Sequence, residues 1–271
     1  MINSLLRPIN INTLLIVVGI VAVIAVVFAA LIVLVSKLCA VKEDEKANAI
    51  AEHLAGANCG GCGYAGCADY AKALSEGKAT INDCGATPNE AKEEIAKILG
   101  IPFSATEETF AVVKCAGGIN AKDKFDYVGN AGCEAEITYM GGRKICPEGC
   151  LGGGTCAAAC SENGIKIADG VATIDKTLCQ SCGACVRKCP KNLIEVIPKK
   201  AKVYVACSTK CRGKDVMNAC SVGCIGCGLC AKNCPEGAIT MVDNLAIIDY
   251  AKCTGCKTCV AKCPRKIIKE I

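Results

Sequence analysis

Tryptophan is absent from this chain of 271 residues, and His53 is its only histidine. Histidine-based acid–base catalysis and histidine metal ligation therefore have almost no material. A single histidine ahead of the first cysteine run reads as a solvated helix residue. Phosphate-binding loops are missing too. Gly152-Gly153-Gly154 lies between candidate ligands, no G-x-G-x-x-G follows a strand and opens a helix, and there is no Walker loop. No base–nucleophile pair for hydrolysis is visible. These absences leave the chain without a nucleotide or catalytic substrate site of its own.

Cysteine is what the chain has in excess, with 26 residues, about a tenth of the total. In a short secreted protein that would indicate a disulfide framework. Here the cysteines fall in tight C-x2-C runs, which suit a metal better than distant bridges. Zinc needs four ligands per ion in paired C-x2-C knuckles. Three-cysteine runs with a fourth cysteine before proline favour iron–sulfur clusters instead.

Two such runs dominate the C-terminal part. Cys224, Cys227, Cys230 and Cys234-Pro235 form the first, and Cys253, Cys256, Cys259 and Cys263-Pro264 the second. Each reads C-x2-C-x2-C-x3-C-P, the bacterial ferredoxin signature for a [4Fe-4S] cube. Three closely spaced thiolates wrap one corner of a cube, and their loop cannot also reach the fourth iron. That iron is ligated by the last cysteine of the other run. The expected ligand sets are Cys224, Cys227, Cys230 and Cys263 for one cluster, and Cys253, Cys256, Cys259 and Cys234 for the other.

The formal charge of +5 counts every cysteine as neutral. An oxidised cube with four thiolates carries about −2, so five clusters bring the total to about −5. The positive balance is therefore no argument for a nucleic-acid partner. A length of 271 residues suits two to four compact units.

The N-terminus, residues 1–38, is expected to be a membrane anchor. Leu14–Val35 has no polar side chain, and at about 1.5 Å per residue it is long enough to cross a hydrocarbon core of roughly 30 Å. A cleaved signal peptide should have a shorter apolar region ending at small residues, whereas this run continues into Ser36-Lys37. Lys37, Lys42 and Lys46 follow the span against Arg7 before it, which places the C-terminal bulk in the cytoplasm. Reduced thiols agree with that side. Cys39 reads as a free thiol at the membrane surface.

Residues 41–54 are patterned as a helix leaving the membrane. Cys59, Cys62, Cys67 and Cys84 then form a C-x2-C-x4-C-x16-C set, with glycines that let the backbone close round a cube. A helix is predicted over 68–75. Thr87-Pro88-Asn89-Glu90 reads as a capping box with proline at the first helical position, and Gly100 can end that helix. Residues 39–106 are thus expected to be a small helical domain closed by one cluster.

From Phe110 the chain repeats itself. Phe110 to Cys115 resembles Val203 to Cys207, Cys146 and Cys150 match Cys220 and Cys224, and Cys156 and Cys160 match Cys230 and Cys234. Asp169-Gly170 and Asp243-Asn244 are hairpin turn pairs between apolar strands. Cys179, Cys182, Cys185 and Cys189-Pro190 match the last run, and each half ends in a short strand. Two tandem ferredoxin-like units, 107–200 and 201–271, are expected, giving an α+β fold behind the anchor. The first unit has Gly153 where the second has Cys227, and Ser161 where it has Pro235. Cys146 is the substitute ligand predicted here, with Cys150, Cys156 and Cys189; Cys179, Cys182, Cys185 and Cys160 complete the other set. Five [4Fe-4S] clusters follow. Cys115, Cys133, Cys207, Cys211 and Cys220 read as small core residues, with a sixth cluster as the alternative.

Cubes with four thiolates and no open iron move one electron at a time, so the sequence reads as a membrane-tethered one-electron conductor. An N-terminal anchor, the C-x2-C-x4-C-x16-C domain and a C-x3-C-x5-C-x3-C run followed by ferredoxin motifs resemble the B subunit of the Rnf complex. Lys114-Cys115-Ala116-Gly117-Gly118 is a further specific part of that resemblance. The resemblance implies an ion-translocating ferredoxin:NAD oxidoreductase in which this subunit exchanges electrons with soluble ferredoxin. It further implies that other subunits carry flavin and NAD chemistry and move Na⁺ or H⁺. The second ferredoxin-like unit is an elaboration that shorter members lack. A polyferredoxin feeding another reductase or hydrogenase is the alternative, and an iron or redox sensor is a third reading that no output domain supports. Lys199, Lys200, Lys202, Lys210, Arg212 and Lys214 form a basic stretch that either docks an acidic ferredoxin or is simply solvated.

Overall fold

A computed structural model describes residues 11–38 and 44–271; Cys39 and the first three residues of the helix predicted over 41–54 lie outside them. Two units divide the chain, Met1–Asp44 and Glu45–Ile271. The first contains α1 (Ile11–Leu38), whose side chains from Leu14 to Val35 are exposed. Its 28 residues span about 42 Å at the usual helical rise, more than a bilayer core requires. Its exposed apolar run, Leu14–Val35, is a candidate membrane span.

In the second unit, α2 (Glu45–His53), α3 (Cys67–Ser75) and α4 (Asn89–Leu99) come first. They close on Ile50, Tyr70, Leu74, Ile81 and Ile95. His53 ends α2 exposed, as expected. Gly100 terminates α4 with φ 72, also as expected. The capping box predicted at Thr87 does not form. Pro88 occupies the N-cap position, and Thr87 is buried with its hydroxyl 3.2 Å from Cys84 Sγ. A capping box that the sequence reading missed forms instead between Thr80 and Asp83, where the Thr80 N–H donates to Asp83 Oδ2 at 2.8 Å, and the Thr80 hydroxyl also donates to Asp83 Oδ1 at 2.6 Å.

The rest carries eight short strands. In order these are β1 (Thr109–Val113), β2 (Ile165–Ala168), β3 (Val171–Ile174), β4 (Ile194–Pro198), β5 (Val203–Val205), β6 (Ile239–Val242), β7 (Leu245–Ile248) and β8 (Ile268–Glu270). The helices between them are α5 (Cys133–Ile137), α6 (Thr155–Ala158), α7 (Ala184–Lys188), α8 (Gly213–Ala219), α9 (Leu229–Lys232) and α10 (Thr258–Lys262). One pairing pattern occurs twice. β1 runs antiparallel to β4 around the β2–β3 hairpin, and β5 runs antiparallel to β8 around the β6–β7 hairpin. Asp169-Gly170 and Asp243-Asn244 make the hairpin turns, all four with positive φ. That is the twist-compatible turn those residue types favour.

Strand alternation decides how the repeats pack. Ala111 and Val113 face a core with Cys156, Ile165 and Cys185. Phe110 and Val112 point the other way, against Ile197, Ala201, Tyr204 and Tyr250. One strand therefore serves the core of its own repeat and the seam to the next.

Candidate metal centres

Each candidate ligand loop of the two repeats ends in a left-handed residue followed by a single helical turn. Gly154, Gly183, Gly228 and Lys257 hold that place at φ 78, 71, 71 and 61. The third cysteine of each run, Cys156, Cys185, Cys230 and Cys259, sits on that turn and is buried.

Chain crossing then brings distant cysteines together. Cys224, Cys227, Cys230 and Cys263 line one cavity, and Cys234, Cys253, Cys256 and Cys259 line another, each of about 20 Å³. Burial pushes the Cys230 thiol up to about 11, and the thiols of Cys224, Cys263 and Cys227 push the same way. In the first repeat, burial raises Cys185 to about 12, with Cys179, Cys182, Cys156 and Cys160 as its charged neighbours. In the helical domain, Cys62 and Cys67 pack against buried Cys84. Burial raises Cys62, and Cys84 and Cys59 add to the shift. Asn58 fixes that loop by accepting the Cys67 amide at 2.8 Å.

Cys146 lines a cavity with Cys115 and Cys207, a lining that Cys150, Cys156 and Cys189 do not share. Burial pushes it up to about 12, and Glu148, Cys207 and Cys115 are the charged groups around it. Cys133 is a thiol beside both Cys150 and Cys156. Burial raises Cys156 to about 11, followed by the effects of Cys150, Cys133 and Cys189. A methyl on Gly153 would meet Cys133 Sγ at 3.1 Å and its backbone N at 2.7 Å. The missing side chain of Gly153 thus leaves room for a cysteine from α5. The signal in the sequence is Gly153 itself, which stands where the second repeat has Cys227.

The donor set fits iron–sulfur cubes. Backbone N–H groups donate to sulfur at Ala111 to Cys179, Leu193 to Cys189, Cys150 to Cys115 and Cys224 to Cys207, at 3.4 to 3.5 Å. Such bonds stabilise a thiolate. Among the described residues, no three cysteine, histidine or acidic side chains converge as ligands of a single ion. Four sulfurs round one zinc stand about 3.8 Å apart, given a Zn–S bond of about 2.3 Å; thiolates on the outer corners of a cube stand further apart.

Two of these centres meet across a close backbone contact. A methyl on Gly61 would lie 2.2 Å from the Cys182 carbonyl oxygen, and one on Gly85 would lie 2.6 Å from that of Ser181. Arg187 Nη1 donates to the Gly61 carbonyl at 3.1 Å. The Cys182 thiol, raised chiefly by burial, has Cys59 beside it.

Three family profiles match the chain: an Fe-S cluster family over residues 54–85, a 4Fe-4S binding domain over 172–195 and a 4Fe-4S dicluster domain over 223–267. The chain is 37% identical over 259 residues to the B subunit of the Na⁺-translocating ferredoxin:NAD⁺ oxidoreductase complex of Acetobacterium woodii, covering 95% of this chain and 78% of that one. It is 39% identical over 240 residues to the B subunit of the ion-translocating oxidoreductase complex of Methanosarcina acetivorans, covering 88% and 91%. The chain belongs to this family of B subunits. A third member, from the proton-translocating ferredoxin:NAD⁺ oxidoreductase complex of Clostridium ljungdahlii, is 38% identical over 265 residues, or 96% of this chain and 93% of its own. With [4Fe-4S] domains and an apolar N-terminal helix, the chain is a membrane-associated iron–sulfur electron carrier of that family.

Proposed function

We propose that this chain carries single electrons between soluble ferredoxin and the other subunits of an ion-translocating ferredoxin:NAD oxidoreductase. The observation that carries this reading is the grouping of the cysteines into sets, with Cys227 and Cys256 exposed at one place and Cys182 beside Cys59 at another. A [4Fe-4S] cluster supplies reversible uptake of one electron. The chain's own residues hold, space and bury such groups.

The ligand sets are Cys59, Cys62, Cys67 and Cys84; Cys179, Cys182, Cys185 and Cys160; Cys224, Cys227, Cys230 and Cys263; and Cys253, Cys256, Cys259 and Cys234. In the fifth, Cys133 takes the place of Cys146 beside Cys150, Cys156 and Cys189, supported by its fit to Gly153. The units are the anchor 1–38, the helical domain 39–106 and the ferredoxin-like units 107–200 and 201–271. They face the cytoplasm, as the lysines after the span and the reduced thiols favour.

Ferredoxin docks where the cysteine loops reach the surface, around Cys227 and Cys256, with Lys232 and Lys262 exposed nearby in sequence and Lys252 exposed beside Asp249 at 3.5 Å. The basic stretch read from the sequence is blunted by ion pairs of Lys199 with Glu108, Lys200 with Glu107 and Lys210 with Asp243. Reduced low-potential ferredoxin is expected to reduce the full-length protein. The Lys232→Glu, Lys252→Glu, Lys262→Glu variant should slow this most at low salt, where exposed charges are least screened. Iron-replete protein that stays oxidised would refute the ferredoxin role, and a rate indifferent to the substitutions would refute the docking face.

A further inference from the structure

Between the two repeats lies a cavity of about 100 Å³, several times the roughly 10–15 Å³ that a single water needs. Close-packed interiors leave few voids of that size. Cys115, Cys146, Cys207, Cys211 and Cys220 all line it. Four of them are two equivalent pairs. Cys115 and Cys207 each follow the first strand of a repeat, and Cys146 and Cys220 stand at the same place before Cys150 and Cys224.

The hydrogen bonding is repeated as well. Cys150 N–H donates to Cys115 Sγ at 3.5 Å, and Cys224 N–H donates to Cys207 Sγ at 3.4 Å. A methyl on Gly117 would lie 3.5 Å from Cys115 Sγ and 3.7 Å from Cys220 Sγ, so thiols of different repeats share one space. Backbone contacts across the seam hold these loops. Lys122 N–H donates to the Ala219 carbonyl at 2.8 Å, Ser221 N–H to that of Asn120 at 3.0 Å, and Ser208 Oγ to that of Lys114 at 3.0 Å. Cysteines serving as core filler would close the space between them rather than line a void. Cys211 has no counterpart in the first repeat, where Ile119 holds its place.

We infer that Cys115, Cys146, Cys207 and Cys220 hold a sixth [4Fe-4S] cluster that bridges the two ferredoxin-like repeats. It rests on the reading of the chain as an iron–sulfur conductor, and it accounts for Cys146 standing away from Cys150. The site is hydrogen-bonded to the ligand loops of both Cys150 and Cys224. It takes one electron from a reduced cluster of one repeat, which is thereby oxidised, and passes it to the other. No bond is made or broken and no proton moves.

Iron and acid-labile sulfide are measured on the anaerobically purified full-length protein, on the Cys207→Ala, Cys220→Ala variant and on Cys211→Ala. The intact protein should hold about twenty-four irons at four per cluster. The double variant should lose about four with one component of the reduced EPR spectrum, and Cys211→Ala should lose none. About twenty irons in both the intact protein and the double variant would overturn the sixth site while leaving the conductor reading in place. Protein without iron would overturn both. If the double variant does not accumulate, the count on the intact protein decides between about twenty-four and about twenty.

Discussion

The Thr87 hydroxyl lies 3.2 Å from Cys84 Sγ on a residue 3% exposed. A hydrogen bond to a ligand sulfur stabilises negative charge and so favours the reduced cluster. Thr87→Val is therefore expected to lower the midpoint potential of the helical domain's cluster, with Thr87→Ser near the native value, as read by EPR-monitored titration. An unchanged potential in Thr87→Val would remove the hydroxyl from the cluster's environment. Single residues were unevenly legible in the sequence. Ligands set by local spacing, such as Cys224, Cys227 and Cys230, could be grouped from spacing alone, because three sulfurs on one short loop share a partner. Cys133 could not, since only the tertiary approach of α5 to Gly153 brings it to Cys150 and Cys156.

The close contact of the helical domain with the Cys182 loop depends on two glycines that have no side chain to interpose. Gly61→Val forces a carbon into a space 2.2 Å from the Cys182 carbonyl. It is expected to push the Cys59 and Cys182 loops apart, leaving the iron count unchanged but weakening the magnetic coupling between their reduced clusters. EPR spectra of the fully reduced variant check this, and undiminished coupling would place the contact off the electron route. Elements with local signals were read well: both hairpins from Asp169-Gly170 and Asp243-Asn244, and the end of α4 from Gly100. Local signal failed at Thr87, whose hydroxyl donates to Cys84 Sγ while Pro88 takes the N-cap position. It was also silent on the pairing of Thr109 with Pro198 in β1–β4, which only the closed repeat determines.

Across the molecule, strands of three to five residues in two-stranded sheets are marginal by themselves. The core of each repeat is a small aliphatic cluster with cysteines among its buried residues, so cross-linking by the proposed clusters would add to what a core of that size can supply. The same arrangement suits the proposed function: cysteine groups occur in the exposed loops of the second repeat, at the seam and in the helical domain. The family was legible from the cysteine pattern and the anchor, whereas the proposed seam site was legible only as an alternative, because its candidate ligands are split between repeats and Cys146 was assigned elsewhere. Stepwise anaerobic reduction of the purified full-length protein, followed by EPR and optical bleaching, tests the conductor most directly. Uptake of about one electron for every four irons, in single-electron steps, is the expected result. A colourless, zinc-bearing protein that takes up no electrons would contradict it.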